Sequence, residues 1–382
     1  MYSLASYGSM IADRVRVGAY AQALRKTIRD GSILLEIGTG PGIFAVLACQ
    51  LGAGQVYAIE QNEIIQVARE VAAANGCRDK IQFFEESSTQ VSLPVHADII
   101  LSDLRGVLPL FERHIPAIVD ARRRFLAPGG IFIPRKDTLR AAIVEVPKFY
   151  SELVDPWNHN PFEQNLSPAR RLVVDNFQRL RVNPEQVLTE HRLWTTLDYY
   201  CIENHDARGR LDWTVARAGT GHGILVWFDT ELAEGIGFSN APGEPETIYS
   251  SLFFPWTHPV SLALGQTVSV DLDAKLVAED YLWRWITRIE PLRGSLDPRI
   301  EFVQSQLNGA VLSPARLRRT AVDYIPRLSK EGYLRRRTLE MIDGKATLEE
   351  IARRLTMEFP ERFFKWEQAL SYASTISQDY SA

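Results

Sequence analysis

The stretch Leu34-Leu35-Glu36-Ile37-Gly38-Thr39-Gly40-Pro41-Gly42 decides the fold of this 382-residue chain. Its apolar run gives way to three glycines at alternate positions. A second apolar run, Gln55 to Ile59, ends in Glu60, eighteen residues after the last glycine. The pattern predicts a strand, a tight turn, a helix over residues 43–51 and a second strand with a carboxylate at its tip. Such a turn exposes backbone N–H groups to a ligand, and a strand-tip acid can bind both hydroxyls of a ribose.

The glycine spacing separates two classes of nucleotide cofactor. A dinucleotide site uses G-x-G-x-x-G and places a pyrophosphate at a helix N-terminus. Here the spacing is G-x-G-x-G, and Glu36 would repel a pyrophosphate but suits the amino group of an amino-acid-bearing nucleoside. We therefore expect S-adenosylmethionine rather than NAD; the alternative is a glycine turn that binds nothing. The residues expected to bind the cofactor are Glu36, Gly38, Thr39, Gly40, Gly42, Glu60, Gln61 and, at the adenine, Ser88 and Thr89.

Composition sets limits on location and partners. Hydrophobic residues make up 46% of the chain and charged residues 24%, which is ordinary for a globular protein. The net charge of −4 gives no basic field to attract nucleic acid. The three cysteines and seven histidines show no metal spacing, so we expect neither disulfides nor a metal. No run approaches the roughly 20 apolar residues of a membrane span. We expect a cytoplasmic protein without a membrane partner.

The pattern along the chain predicts three domains. Strand and helix signals alternate through residues 1–134, which indicates a parallel, doubly wound α/β sheet of the Rossmann type. Short β-branched and aromatic runs dominate residues 135–297, which predicts an antiparallel barrel or sandwich. Within it, residues 155–171 are rich in Pro, Asn and aromatic side chains and are expected to form a protruding arm. Residues 298–382 turn helical and locally basic, which predicts a separate C-terminal module.

Two acids near the fourth predicted strand are the candidates for chemistry. Asp103 stands at the strand tip and Glu112 opens the next helix. Two carboxylates that face one pocket can clamp a cation by bidentate hydrogen bonds and accept its proton. The alternative interpretation is an ordinary strand-end acid and a helix-start acid favoured by the helix dipole.

Several of these motifs, in this order, resemble the protein arginine methyltransferases. The glycine stretch resembles motif I of the Rossmann-like methyltransferases. Ser102, Asp103, Gly106 and Glu112 fall without a gap on the family's double-acid loop, which begins S-E-W-M-G. Residues 10–16 are similar to its N-terminal helix, and residues 126–134 to its domain-closing strand. The resemblance covers roughly residues 2–290.

The resemblance implies a function and further roles. In that family the arginine matching Arg16 holds the cofactor carboxylate, and an aromatic pair echoed by Tyr2 and Tyr7 closes over the cofactor. Trp256-Thr257-His258-Pro259 is similar to a barrel segment ending in T-H-W, so His258 is expected to hydrogen-bond the double-acid loop. Residues 155–171 fall where the family carries its dimerisation arm, which implies a homodimer. The implied reaction is N-methylation of arginine in a peptide or protein, with Asp103, Glu112 and His258 as catalytic residues.

Three departures leave other functions open. Asp103 is one methylene shorter than the family's glutamate, and Pro259 replaces the tryptophan of T-H-W. Arg105 replaces a methionine beside the target nitrogen, where a fixed cation would repel a guanidinium. The acceptor is then a different nucleophile, such as a small anionic molecule held by Arg105, or the loop is rearranged. A third alternative is a scaffold that binds cofactor without transferring methyl groups.

The C-terminal module has a weaker resemblance. Residues 333–351 are similar to small winged-helix domains that bind a leader peptide by adding a strand to a sheet edge. This implies a peptide or protein substrate delivered by the module. The alternative is a solvated helix face, which basic stretches usually are.

Overall fold

A parallel sheet forms the first layer of the computed structural model, which describes residues 3–292 and 294–381. Its strand order is β3-β2-β1-β4-β5, and every pairing is parallel. The strands are β1 Ile33–Ile37, β2 Gln55–Ile59, β3 Ile81–Phe84, β4 Ala97–Ser102 and β5 Leu126–Ile133. The Rossmann-like sheet predicted from the alternating pattern is confirmed. The order changes direction beside β1, so a crevice opens at the carboxyl ends of β1 and β4, where ligands bind in such sheets.

Five helices accompany this sheet. They are α1 Leu4–Ala12, α2 Arg14–Thr27, α3 Ile43–Gln50, α4 Ile65–Ala74 and α5 His114–Phe125. Ser3 caps α1 and Asp13 caps α2, each by accepting a backbone N–H in the first turn. The helix α3 begins directly after the glycine turn, so its N-terminus lies at the crevice.

Two antiparallel sheets follow, as predicted. One has the order β7-β12-β10-β6-β8 with β11 on β10, and the other β15-β14-β13-β9. The strands are β6 Lys136–Val144, β7 Gln178–Leu180, β8 Arg192–Asp198, β9 Ala207–Thr214, β10 Gly219–Ala233, β11 Ile236–Ser239, β12 Ser251–Leu262, β13 Thr267–Val277, β14 Asp280–Ile289 and β15 Ile300–Ser305. Fully buried aromatic side chains fill their core: Trp213, Phe254, Trp256, Trp283 and Trp285.

The segment predicted as an arm is part of a helical pair between β6 and β7. The helices are α6 Pro147–Asn158 and α7 Ser167–Val174. Tyr150, Val154 and Val174 bury the pair against the barrel sheet, whereas Phe162, in the connecting loop, is 79% exposed.

The C-terminal boundary lies later than predicted. Residues 300–305 form β15, which pairs with β14, so the sheet continues past residue 298 before α8 Gln306–Gly309 begins. The two compact units are Met1–Ala310 and Val311–Ala382. The second contains α9 Pro314–Arg319, α10 Lys330–Met341, α11 Leu348–Glu358 and α12 Trp366–Tyr380. Within residues 311–381 the elements are all helices, so the winged-helix prediction is not confirmed: that stretch has no sheet edge for an added strand.

No helix within residues 3–292 and 294–381 is both long enough and apolar enough to cross a bilayer.

Candidate active site

The glycine turn has the conformation that its sequence requires. Gly38, Gly40 and Gly42 all have positive φ, at 78°, 51° and 85°. A Cβ on Gly38 would lie 2.4 Å from Leu104 Cδ2, and one on Gly40 would lie 2.9 Å from Tyr7 Cε1. Glycine is therefore needed for both conformation and space. The Tyr7 ring lies against Gly40, and its closure over a cofactor stays a prediction. Tyr2 lies outside the described residues.

Glu60 points its carboxylate at this turn. Its Oε2 accepts the Gly40 N–H at 3.1 Å, and its Oε1 accepts the backbone and side-chain N–H groups of Asn62 at 3.1 and 2.8 Å. Parallel pairing of β1 and β2 brings the strand tip beside the turn. The carboxylate is buried against the turn, where it can accept from a ribose hydroxyl. Gln61, the next residue, is exposed.

Glu36 stabilises the glycine turn by hydrogen bonds to other residues of the chain. Its carboxyl accepts the Thr39 hydroxyl at 2.7 Å and the backbone N–H of Ala45 in α3. Only 2% of its surface is exposed, and burial raises its pKa to about 8. Its observed contacts thus join β1 to the start of α3, and its role as a cofactor ligand stays a prediction.

Arg16 and Asp103 meet across the crevice. The Arg16 Nη1 donates to Asp103 Oδ2 at 2.9 Å, although 87 residues separate them. Asp13 orients the first turn of α2 by accepting the Arg16 backbone N–H. The Arg16 Nε is buried and has no hydrogen-bond partner among residues 3–292 and 294–381. An unpaired buried donor is costly, so this N–H suits an incoming carboxylate such as the one that S-adenosylmethionine carries.

Asp103 accepts from three side chains. Besides Arg16, the Arg105 Nε donates to Oδ1 at 3.1 Å and the Tyr249 hydroxyl donates to the same oxygen at 2.8 Å. Burial opposes ionisation of Asp103, but Arg105 and Arg16 outweigh it, so the pKa of this carboxyl lies below its ordinary value. Asp103 is therefore ionised at neutral pH.

Arg105 is buried between the sheet and the barrel, and its side chain has 0% exposure. Its Nη1 donates to Asp137 Oδ1 and to Thr230 Oγ1, both at 2.9 Å, and its Nη2 donates to the Tyr20 hydroxyl. Aromatic rings surround it, with centroids 5.2–5.9 Å from Cζ: Tyr20, Phe228, Phe238 and Tyr249. The structure therefore pairs this cation internally.

Glu112 is not joined to Asp103. Its φ is 42°, and its backbone N–H donates to Asp280 Oδ1 in the β13–β14 hairpin at 2.9 Å. Its side chain is exposed, and no residue of the described ranges bonds to its carboxylate. The structure thus brings Arg16 and Asp103 together but leaves the second acid outside their network.

The barrel contact expected of His258 is made by another residue. His258 is exposed on β12, beside the Phe302 ring and the Thr257 hydroxyl, and does not bond to the double-acid loop. Tyr249 makes that contact, within Thr247-Ile248-Tyr249. No motif marks Tyr249, because Thr247-Ile248-Tyr249 shares only its threonine with T-H-W, and the sequence-based prediction missed it for that reason. Asp137 and Thr230 were missed too, because no motif marks them.

The remaining predicted residues follow β3. Ser88 is buried and its carbonyl accepts from Arg124, whereas Thr89 is exposed and its hydroxyl contacts Ser87. Their adenine contact stays a prediction. Across residues 3–292 and 294–381, no cluster of three or more His, Cys, Asp or Glu side chains could hold a metal.

Two family models match adjoining parts of the chain. Residues 20–152 match ribosomal protein L11 methyltransferase (PrmA), and residues 135–280 match the arginine methyltransferase oligomerization subdomain. Protein arginine N-methyltransferase 1 of Dictyostelium discoideum is 26% identical over 69% of this chain and 80% of its own length. Probable protein arginine N-methyltransferase 6 of Arabidopsis thaliana is 30% identical over 63% of this chain and 57% of its own. The chain is therefore similar to protein arginine methyltransferases over about two thirds of its length.

Solved structures of this family have the same fold. The Trypanosoma brucei PRMT1 enzyme-prozyme heterotetrameric complex with AdoHcy aligns with a TM-score of 0.72 at 18% identity, covering 78% of this chain and 97% of that one. Arabidopsis thaliana protein arginine methyltransferase 10, in an open conformation, aligns with a TM-score of 0.70 at 21% identity, covering 79% and 97%. The parallel sheet followed by antiparallel sheets is thus the arginine methyltransferase fold.

Proposed function

We propose that this protein transfers a methyl group from S-adenosylmethionine to a guanidino nitrogen of arginine in a peptide or protein. One observation carries the proposal: an ionised Asp103 at the crevice, paired with an Arg16 whose Nε has no partner in the part of the chain that the structure describes. The glycine turn and Glu60 supply the nucleoside end of the same crevice. The similarity to protein arginine methyltransferases supports this chemistry.

The residues present fit S-adenosylmethionine at both ends. Glu60 would accept the ribose hydroxyls, and the Arg16 Nε would bind the carboxylate without giving up its bond to Asp103. Tyr7 would cover the turn. The cofactor supplies a methyl group on a cationic sulfur, poised for in-line displacement.

Asp103 would hold and orient the acceptor nitrogen. A carboxylate offers about four acceptor positions, and three donors already occupy Asp103. The free position lies on Oδ2, so Asp103 would accept one N–H of the acceptor and balance its positive charge. Transfer of the methyl group to this nitrogen, with the sulfur as leaving group, would leave one proton for the acceptor to release. Glu112 would accept that proton after the loop moves it towards Asp103.

A homodimer and a cytoplasmic location are parts of the proposal. The matched oligomerization subdomain includes the α6–α7 pair, whose loop exposes Phe162. The match to an oligomerization subdomain supports a dimer contact through this helical pair. The cysteines Cys49, Cys77 and Cys201 are all free, which suits a reducing compartment.

The test is methyl transfer to matched peptides. Pure protein, S-adenosylmethionine with a labelled methyl and a library of arginine peptides would be analysed by mass spectrometry, with lysine replacing arginine in the control library. We expect label on arginine only. Binding of S-adenosylhomocysteine without transfer to any peptide would contradict the proposal and favour a silent scaffold. Because Arg105 is buried and paired, nothing in the site favours an anionic acceptor.

A further inference from the structure

The buried ion pair between Arg105 and Asp137 connects the double-acid loop to a residue that no sequence motif marks. Both side chains have 0% exposure, and the Nη1–Oδ1 distance is 2.9 Å. The second oxygen of Asp137 accepts the Tyr199 hydroxyl. Asp137 begins the barrel, whereas Arg105 belongs to the double-acid loop, so the pair joins the loop to the barrel.

The pair also determines the net charge of the buried cluster around Asp103. Arg16 and Arg105 bring two positive charges, and Asp103 and Asp137 bring two carboxylates. Burial raises the pKa of Asp137, but the Arg105 guanidinium 2.9 Å away favours its ionised form, so the pair is a salt bridge and the cluster is neutral. The other titratable groups facing Arg105 are uncharged at neutral pH: burial lowers the pKa of His114 to about 3, and burial raises the pKa of the facing tyrosines Tyr20, Tyr199 and Tyr249. Without Asp137, one buried positive charge would be left uncompensated beside the site.

We propose that Arg105 and Asp137 are a positioning pair for Asp103. Arg105 holds Oδ1 of Asp103 through Nε, and Asp137 cancels the charge of Arg105. The site can then receive cations, namely the sulfonium and the acceptor guanidinium, although it contains a fixed arginine. The inference about the acceptor guanidinium rests on the proposed function. The inference about the sulfonium requires only that the protein binds the cofactor.

The first experiment compares S-adenosylmethionine with S-adenosylhomocysteine, which lacks the positive charge. Calorimetry would give both dissociation constants for the wild type, D137N, R105M/D137N and the control D229N. Asp229 is a half-exposed acid on β10 next to Thr230 and pairs with Arg140. We expect D137N to weaken the cationic ligand relative to the neutral one by about tenfold, because a unit charge nearby is no longer compensated. R105M/D137N should restore the wild-type ratio, and D229N should leave it unchanged.

The second experiment compares an arginine peptide with its neutral citrulline analogue on protein loaded with S-adenosylhomocysteine. D137N should weaken the arginine peptide about tenfold and leave the citrulline peptide unaffected. R105M/D137N should bind both normally but lose about tenfold in kcat, since Asp103 has lost its Nε donor.

Two outcomes would overturn the positioning pair. One is an unchanged ratio of the two dissociation constants in D137N, whether neither ligand or both ligands equally are weakened. The other is a double variant whose ratio stays as altered as that of D137N. If D137N does not fold, the double variant decides, since an altered ligand ratio there contradicts charge compensation. If the wild type binds the cofactor but methylates no arginine peptide, the proposed function is wrong. The ratio of the dissociation constants of S-adenosylmethionine and S-adenosylhomocysteine would still test the positioning pair.

Discussion

The two ends of the crevice are built in different ways. Apart from Arg16, the cofactor end comes from residues 36–60, within one βαβ unit, where Glu60 bonds to Gly40 only 20 residues away. The acceptor end comes from segments that lie far apart in the chain, and Asp103 receives donors from 87 and 146 residues away. The cofactor end is therefore a local motif, whereas the acceptor end exists only when the parallel sheet and the barrel pack together. Changes at the first should act on cofactor binding, and changes at the second on transfer.

The largest expected effect is at the acceptor end. Asp103→Asn keeps the shape but removes the charge that orients the acceptor, so kcat should fall about 100- to 10,000-fold. Affinity for S-adenosylhomocysteine should stay close to the wild type, because the Arg16 Nε and Glu60 are untouched. Steady-state kinetics and calorimetry measure both. The control is Asp98→Asn, at the other end of β4, and a kcat loss there of equal size would refute the assignment.

The next effect is pH-dependent stability at the cofactor end. The pKa of Glu36 is about 8 in the folded protein against an ordinary value of 4.5, so the folded state holds a proton that the unfolded state has lost. The free energy of unfolding should then decrease as pH rises from 4.5 to 8, by roughly 3 to 5 kcal/mol. Glu36→Gln should remove that slope in urea denaturation. The same slope in the variant would show that another group causes it.

A smaller effect is expected for cofactor affinity. Glu60→Gln weakens charge-assisted hydrogen bonds to the ribose, so the dissociation constant of S-adenosylhomocysteine should rise about 10- to 100-fold. The control is Glu85→Gln, since Glu85 is an exposed acid just beyond β3 that contacts Gln66. If both variants bind alike, Glu60 is not a cofactor ligand.

The smallest effect separates two barrel residues. Tyr249→Phe removes one hydroxyl donor from Asp103 and should lower kcat about 3- to 10-fold with little change in cofactor affinity. His258→Ala should change neither constant, because His258 is exposed and away from the loop. The reverse result would mean that His258 supports the reaction and Tyr249 does not.

The sequence by itself determined the parallel sheet, the glycine turn and the cofactor end. Each depends on short-range rules: apolar periodicity sets strands and helices, and positive φ at Gly38, Gly40 and Gly42 demands glycine. The sequence also predicted that Arg16 lies at the crevice, because residues 10–16 resemble the N-terminal helix of the arginine methyltransferases. Burial made Glu36 an internal support, an outcome that its place before the turn did not reveal.

Only the tertiary structure decided the acceptor end. It placed Tyr249 rather than His258 beside Asp103 and left Glu112 exposed. It also paired Arg105 with Asp137, although the sequence had predicted an unpaired cation that would repel a guanidinium. No periodicity or spacing encodes these contacts. They arise because packing the barrel against the sheet buries charges, and buried charges must find partners wherever the chain brings them.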